Sequence, residues 1–131
     1  MDRDTETMCL EIPAQPALVG VARNVVTAVA QSSTGADPER LEDLRLAVSE
    51  ACTTAVEAQR NGGSVILRCL DRPGRLEVRV EYDDPPAGDH EIDSPLRAWS
   101  LPLMEALVDE VEITTAVGRT TVRLVVADVS R

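Results

Sequence analysis

The chain has 131 residues, close to the commonest size of a single domain, so residues 1–131 are predicted to form one domain. Its formal net charge of −10 argues against direct binding to nucleic acid or an anionic membrane, because both require basic surface. The chain lacks any apolar run of about 18 residues and any apolar stretch behind its charged start, so we expect a cytoplasmic protein without a membrane span or secretory signal.

The aromatic content is one Trp, one Tyr and no Phe, so the core must be built from Val, Leu, Ile and Ala. Cys9, Cys52 and Cys69 are odd in number and widely spaced, which favours buried thiols over a disulfide framework or a zinc site. The lone His90 adds no cluster, and we therefore expect no metal site built from Cys and His.

The first predicted element is a short strand from Met8 to Ile12 that ends near Pro13, where proline favours a sheet edge. From Ala17 onward the apolar residues recur at helical spacing, which predicts a first helix. That helix gives way to a turn-like cluster at residues 32–35.

A second helix is predicted to open at Asp37-Pro38-Glu39, because Asp can cap the free amides and proline fits the first turn. Its apolar stripe runs through Leu41, Leu44, Val48, Ala51 and Ala55. The segment Asn61-Gly62-Gly63 tolerates left-handed backbone and is predicted to end the helix.

The second half of the chain predicts two pairs of strands with a short helix between them. Residues 65–69 and 76–82 alternate around a turn at 71–74, and residues 111–115 and 120–126 pair around Gly118. Residues 83–95 are rich in proline and acidic residues and predict a surface loop, while 101–108 predict the helix. The order β-α-α-β-β-α-β-β predicts an α+β two-layer sandwich, with about three helices on one face of a mixed, mostly antiparallel sheet.

Three blocks of this sequence, residues 43–57, 107–113 and 118–124, resemble serine-kinase anti-sigma factors of the GHKL superfamily. The resemblance spans nearly the whole chain. It implies the histidine-kinase-like ATPase (Bergerat) fold and an ancestral nucleotide site.

In that family, helix two carries the motif E-x-x-x-N, whose carboxylate acts as a base or orients the attacking group and whose Asn binds Mg²⁺. Residues four apart share one side of a helix, so both can reach the same nucleotide. Glu50 occupies the first position, but Thr54 replaces the Asn, which places metal binding in doubt. Spacing alone favours Glu50 and Glu57 as the solvated side of an amphipathic helix, and it is the resemblance that assigns Glu50 to an ancestral site.

The family's next motif, D-x-G-x-G, recognises adenine through its Asp. Here Tyr82 falls at the Asp position, and only a one-residue bulge would bring Asp83 into register. Pro85 and Pro86 follow instead of glycines, which removes backbone donors and fixes φ. The sequence therefore predicts that the adenine pocket lacks the family's recognition residues and is not formed.

The third motif, G-x-G, wraps the phosphates at the start of the third helix, and Ala98 and Ser100 stand at its glycine positions. Trp99 between them is hypothesised to plug the vacated cavity; the alternative is an exposed side chain that contacts a partner. A fourth block keeps Gly118 and Thr120 close to the family form, although it also serves as a turn.

Arg23 in helix one matches, by resemblance, an arginine with which the family contacts its sigma factor and its antagonist. Spacing alone favours a surface arginine on an amphipathic helix. The resemblance makes Arg23 the first candidate for partner binding.

The resemblance implies an anti-sigma factor acting in the stress response, which sequesters a sigma factor and is released by a STAS-type antagonist. Because several positions of the nucleotide site differ, we expect a pseudokinase that needs no ATP or Mg²⁺. The first alternative is an active serine-protein kinase that uses Glu50 as base and Thr54 with water to hold Mg²⁺. The second is a scaffold with a partner other than a sigma factor. Homodimerisation, through the first strand and the neighbouring helix, is implied by resemblance only.

Overall fold

The structure is a computed structural model that describes residues 5–33, 37–59, 62–72, 74–83 and 99–127. It contains β1 (Thr5–Pro13), a 3-10 turn (Pro16–Leu18), α1 (Val19–Ser33), α2 (Pro38–Ala58), β2 (Ser64–Arg72), β3 (Arg75–Asp83), α3 (Leu101–Leu107), β4 (Glu110–Ala116) and β5 (Arg119–Ala127). The predicted order of strands and helices is confirmed. None of the described helices is long and apolar enough to cross a membrane.

Helix α2 begins where the sequence predicts. The Asp37 carboxyl accepts a hydrogen bond from the amide of Arg40 at 2.9 Å, and Pro38 occupies the first helical position. Beyond the helix end, Gly62 adopts a φ of 104°, a conformation that favours glycine. Asn61, the other residue named in the predicted stop, lies outside the described residues.

The first helix differs slightly from its prediction, because a 3-10 turn from Pro16 to Leu18 precedes α1. Proline lacks an amide hydrogen and fits the first turn, which explains this start. Ala22, Val26 and Ala30 are four residues apart and fully buried, so they form the face of α1 that packs on the core.

The five strands form one sheet in the order β1-β2-β3-β5-β4, and every pairing in it is antiparallel. The predicted antiparallel character is confirmed, but the described sheet is wholly antiparallel rather than mixed, because each strand lies beside neighbours that run in the opposite direction. Strand β1 lies at one edge, as its proline predicts. Strand β5 runs between β3 and β4, so the start of β5 lies beside the end of β3.

The helices and the sheet form two layers around one aliphatic core. Alternate residues of the central strands, including Leu67, Val78, Val80, Val122 and Leu124, are fully buried on the inner face. They belong to the same cluster as the buried residues of α1 and α2, so the helices cover this face. The predicted α+β two-layer sandwich is confirmed.

The opposite face of the sheet carries alternating charges. Arg68, Arg79 and Arg123 stand in register across β2, β3 and β5. Glu77 and Glu81 lie on either side of Arg79 and form ion pairs with arginines of this face. The Glu77 side chain is fully buried and forms ion pairs with Arg72, Arg79 and Arg123.

Two of the three cysteines follow the prediction of buried thiols. Cys52 and Cys69 are fully buried, and burial raises the pKa of each thiol to about 12, with the charge of Asp71 contributing at Cys69. The prediction is wrong for Cys9, which is exposed. The reason is that Cys9 lies on the edge strand opposite Arg68, on the face that the helices do not cover.

Candidate functional site

Helix α2 contacts both α1 and α3 and presents different side chains to each. Ser49 is hydrogen-bonded to a residue of α1. Glu50 and Thr54 lie four residues apart on the side that faces the start of α3. The two positions that the resemblance assigns to base and metal therefore share the contact between α2 and α3.

Ser100 connects these two side chains. Its hydroxyl donates a hydrogen bond to Oε2 of Glu50, and its Oγ lies 3.2 Å from Oγ1 of Thr54. Ser100 is only 3% exposed, while Glu50 and Thr54 are half-buried. The structure thus brings three predicted site positions together, although their roles in binding stay predictions.

Tyr82 and Thr120 face each other across β3 and β5. Both are buried on the inner face of the sheet, and Tyr82 belongs to the core cluster. The aromatic ring therefore fills space at the position where the resemblance implies an adenine-binding Asp.

Asp83 does not replace that carboxylate. The β3–β5 register is regular through the pair of Asp83 and Arg119, so the one-residue bulge considered from the sequence is wrong. Because side chains alternate along a strand, Asp83 points away from Tyr82 and is exposed. Its carboxylate lies 3.6 Å from Nη2 of Arg119, and its carbonyl accepts a hydrogen bond from the side chain of Gln59.

Gly118 belongs to a tight turn. Ala116 and Arg119 are paired, so Val117 and Gly118 form a two-residue hairpin loop with φ values of 57° and 75°. Positive φ at both positions is the geometry of a type I′ turn. Gly118 is therefore required by the turn itself, independently of any ligand.

Trp99 is not the plug that the sequence suggested. Its side chain is 77% exposed, so it fills no internal cavity. The alternative from the sequence, contact with a partner, stays a prediction. Ala98, Pro85 and Pro86 lie outside the described residues.

Arg23 is held against α2 by a side chain that sequence reasoning missed. Its Nη1 donates to Oγ of Ser49 at 3.1 Å, and its Nε is buried without a hydrogen-bond partner within the described part of the chain. Arg23 and Ser49 are 26 residues apart, and helical spacing contains no signal for such a contact. Arg23 is thus a half-buried, oriented guanidinium rather than a freely extended surface side chain.

A separate open depression lies on the surface between α3 and the edge of the sheet. It is lined by Val111 and by charged residues, namely Glu105, Asp109, Glu110, Glu112 and Arg123. Among the candidate site residues that the structure describes, none lines it.

The resemblance implies ATP and Mg²⁺ at the Glu50–Thr54 positions. In this structure both side chains are instead hydrogen-bonded to Ser100. A phosphate-bound metal would have to displace Ser100 from them. Tyr82 also occupies the inner face where the resemblance implies adenine recognition.

Comparison with known sequences supports one family. Residues 12–126 match the histidine kinase-like ATPase domain. The chain is 33% identical to the serine-protein kinase RsbW of Bacillus pumilus and 34% identical to that of Bacillus subtilis, and each alignment covers 92% of this chain and 85% of the relative. The serine-protein kinase RsbW of Listeria monocytogenes is 36% identical over 57% of this chain and 49% of its own length.

Comparison with solved structures supports the same fold. The crystal structure of the RsbU and RsbW domains of a Mycobacterium tuberculosis protein matches with a TM-score of 0.69 at 24% identity. The match covers 92% of this chain and 32% of that longer chain.

Proposed function

The chain belongs to the histidine kinase-like ATPase domain family and is related over most of its length to serine-protein kinases named RsbW, and on this premise we propose that it is an anti-sigma factor. It sequesters a sigma factor of bacterial RNA polymerase and is released by a STAS-type antagonist, as part of a stress response in the cytoplasm. It acts as a single domain, without ATP binding or kinase activity. Such a switch needs only competition between two partners for overlapping surface.

The observation that carries the non-catalytic part of the proposal is the hydrogen bonding of Ser100 to both Glu50 and Thr54. The carboxyl at the base position and the hydroxyl at the metal position are engaged by the protein itself. Buried Tyr82 at the adenine position supports the same conclusion. Nucleotide binding would have to break these contacts, and the rearrangement of a packed region would reduce the free energy gained on binding.

The strongly acidic surface supports a protein partner. The formal net charge is −10, and α2 carries five carboxylates against two arginines, a balance that would repel the phosphates of nucleic acid and anionic lipid. A protein with basic patches, by contrast, is attracted to such a surface. Arg23 on α1, oriented by Ser49, is the proposed first contact with both partners.

One observation favours the alternative of an active serine-protein kinase. The hydroxyl of Ser100 donates directly to Glu50, so this carboxyl is placed to accept a hydrogen bond from a serine hydroxyl. A general base must lie within hydrogen-bond reach of the proton that it takes. Its relatives named as serine-protein kinases make this the second candidate.

We also propose that the protein is a homodimer. Strand β1 is an edge strand whose outer side is free to pair within the described sheet, and α1 lies next to it in the chain. Light scattering coupled to size-exclusion chromatography tests this point, and a monomer mass at micromolar concentration would contradict it.

Two assays test the proposed function. In the first, purified sigma factors from the same genome are titrated with the wild-type chain, with Arg23→Ala, and with the control Arg45→Ala, whose guanidinium pairs with Glu42 on exposed α2 surface. We expect capture of one sigma factor, weakened in Arg23→Ala and unchanged in the control. Absence of capture from a complete set of sigma factors would overturn the anti-sigma proposal.

In the second assay, Mg-ATP is titrated by calorimetry and the chain is incubated with its STAS antagonist and labelled ATP. We expect neither heat of binding nor transfer of phosphate. Phosphate transfer that disappears in Glu50→Ala would instead establish the kinase alternative.

A further inference from the structure

Helix α3 is short, and few apolar side chains attach it to the rest of the fold. It contains seven residues, too few to be stable as an isolated helix. Its apolar anchors are Met104, which is fully buried, Leu107, which is partly buried against the core, and Val108 just after the helix end. Leu103 is about half exposed and Trp99 is largely exposed, so both contribute less to this attachment.

Ser100 stands immediately before α3 but does not cap it. Serine at this position usually accepts a hydrogen bond from an amide of the first helical turn. Here no such side-chain bond is formed, and the backbone of Ser100 is itself helical, with φ −72° and ψ −39°. The hydroxyl instead bonds to Glu50 and Thr54 of α2.

We propose that Ser100, Glu50 and Thr54 form an internal latch, which holds the start of α3 on α2 with protein side chains where relatives of this chain use a nucleotide. This inference rests on the proposed function, in which the native chain works without ATP. The latch stabilises the arrangement of α2 and α3 in the absence of nucleotide, so sigma-factor capture does not depend on nucleotide. Ser100 is the positioning residue, because its hydroxyl is hydrogen-bonded to both side chains of α2.

The chemistry of the latch suits this role. A hydrogen bond to a carboxylate is about twice as strong as one between neutral groups, and Ser100 is almost fully removed from water. Removing its hydroxyl would also leave Glu50 and Thr54 without this partner in a half-buried place. The loss should therefore appear as local opening of α3 rather than as a change in the whole fold.

Hydrogen exchange of the α3 amides, followed by mass spectrometry, tests the latch. Wild type is compared with Ser100→Ala and with the control Ser32→Ala, which removes an exposed hydroxyl that donates to the carbonyl of Val29 at 3.2 Å. We expect exchange over residues 101–107 to be about ten- to a hundredfold faster in Ser100→Ala and unchanged in the control. Unchanged exchange in Ser100→Ala would overturn the proposal.

Thr54→Val provides a second variant if Ser100→Ala fails to fold. Valine keeps the volume of threonine and removes only the hydroxyl, so we expect about three- to tenfold faster exchange over α3. No change in Thr54→Val would show that Thr54 is not part of the latch.

A measurement with Mg-ATP distinguishes failure of this inference from failure of the proposed function. Addition of Mg-ATP should leave α3 exchange of the wild type unchanged; slower exchange would mean that a nucleotide still orders this region, and the latch proposal would fail. Sigma-factor capture is measured on the same preparations. Capture by wild type with no effect of Ser100→Ala on exchange would overturn the latch and leave the anti-sigma function standing.

Discussion

Ser49 and Glu50 are consecutive residues of α2, yet the first holds Arg23 of α1 and the second holds Ser100 of α3. One turn of a helix therefore contacts both the candidate partner-binding residue and the candidate latch. Each contact joins residues far apart in the chain, and α2 is the element that orients both.

Ser49→Ala should release Arg23 from its oriented position. The hydrogen bond of 3.1 Å between Arg23 Nη1 and Ser49 Oγ is the contact that is removed. In a double-mutant cycle followed by urea unfolding, we expect a coupling free energy of about 1 kcal/mol between the two residues. If Ser49→Ala and Arg23→Ala are simply additive, the contact contributes nothing to stability.

The same variant should weaken sigma-factor capture by about three- to tenfold, because Arg23 must then be ordered during binding. Arg23→Ala with Ser49→Ala should capture no worse than Arg23→Ala alone. A further loss in the double variant would indicate that Ser49 contacts the partner itself.

Val117→Asn should stabilise the protein. Val117 has a φ of 57° and is fully exposed, and a β-branched residue in this region is strained. Asn-Gly is the preferred sequence of a type I′ turn, so we expect a gain of about 1 kcal/mol in the free energy of unfolding and about 4 °C in Tm. Val117→Thr is the matched control, since it is polar but still β-branched, and it should give no gain. Equal stabilisation by Thr would show that polarity, rather than backbone strain, is responsible.

Thiol labelling should distinguish the three cysteines. Cys9 is exposed, whereas burial raises the pKa of Cys52 and Cys69 to about 12. Only the thiolate reacts, so at pH 8 the native chain should react with Ellman's reagent at Cys9 alone, and the unfolded chain at all three cysteines. Rapid labelling of two or more thiols in the native chain would contradict the packing of these residues.

The two buried thiols also predict a loss of stability in alkaline solution. In the unfolded chain they ionise near the ordinary pKa of about 8.5, while in the folded chain they stay neutral until the pKa of about 12. The unfolded state therefore binds fewer protons in this window, and the free energy of unfolding falls by about 1.4 kcal/mol per pH unit for each thiol. Cys69→Val removes one titrating group, so its slope above pH 9 should be shallower than that of the wild type.

Glu77→Gln should destabilise the charged face of the sheet. Burial alone would raise the pKa of Glu77, but its hydrogen bond and charge interaction with Arg79, and those with Arg123, outweigh burial and lower it. The corresponding stability is present above the unfolded pKa and is lost as pH falls through the lowered folded value. At neutral pH we expect a loss of about 2 kcal/mol in urea unfolding.

Two comparisons test that interpretation. The difference between wild type and Glu77→Gln should shrink in acid, where the wild-type carboxylate becomes protonated. Glu112→Gln, which changes an exposed carboxylate paired with the same Arg123, should alter stability by less than about 0.5 kcal/mol. A similar loss in both variants would show that burial of Glu77 adds nothing.

The elements of this fold could be predicted because each depends on local pattern. Strand alternation, the stripe of α2, and the Asp37–Pro38 opening all report which face is buried and where a helix can begin. The same reasoning failed for Cys9 and Trp99. Whether a side chain is covered depends on which element lies over it, and periodicity does not contain that information.

The candidate site likewise combines features that local pattern predicts with features that depend on packing. The sequence alone established that Glu50 and Thr54 share one side of a helix, since residues four apart lie one above the other. It also determined that positions matching a nucleotide site carry other residues. The three-dimensional packing established that Ser100 bonds to both side chains, that Ser49 orients Arg23, and that β3 and β5 pair without a bulge through Asp83. Those outcomes depend on how α1, α3 and β5 pack against elements distant in the chain, and long-range packing is set by the whole core rather than by any single segment.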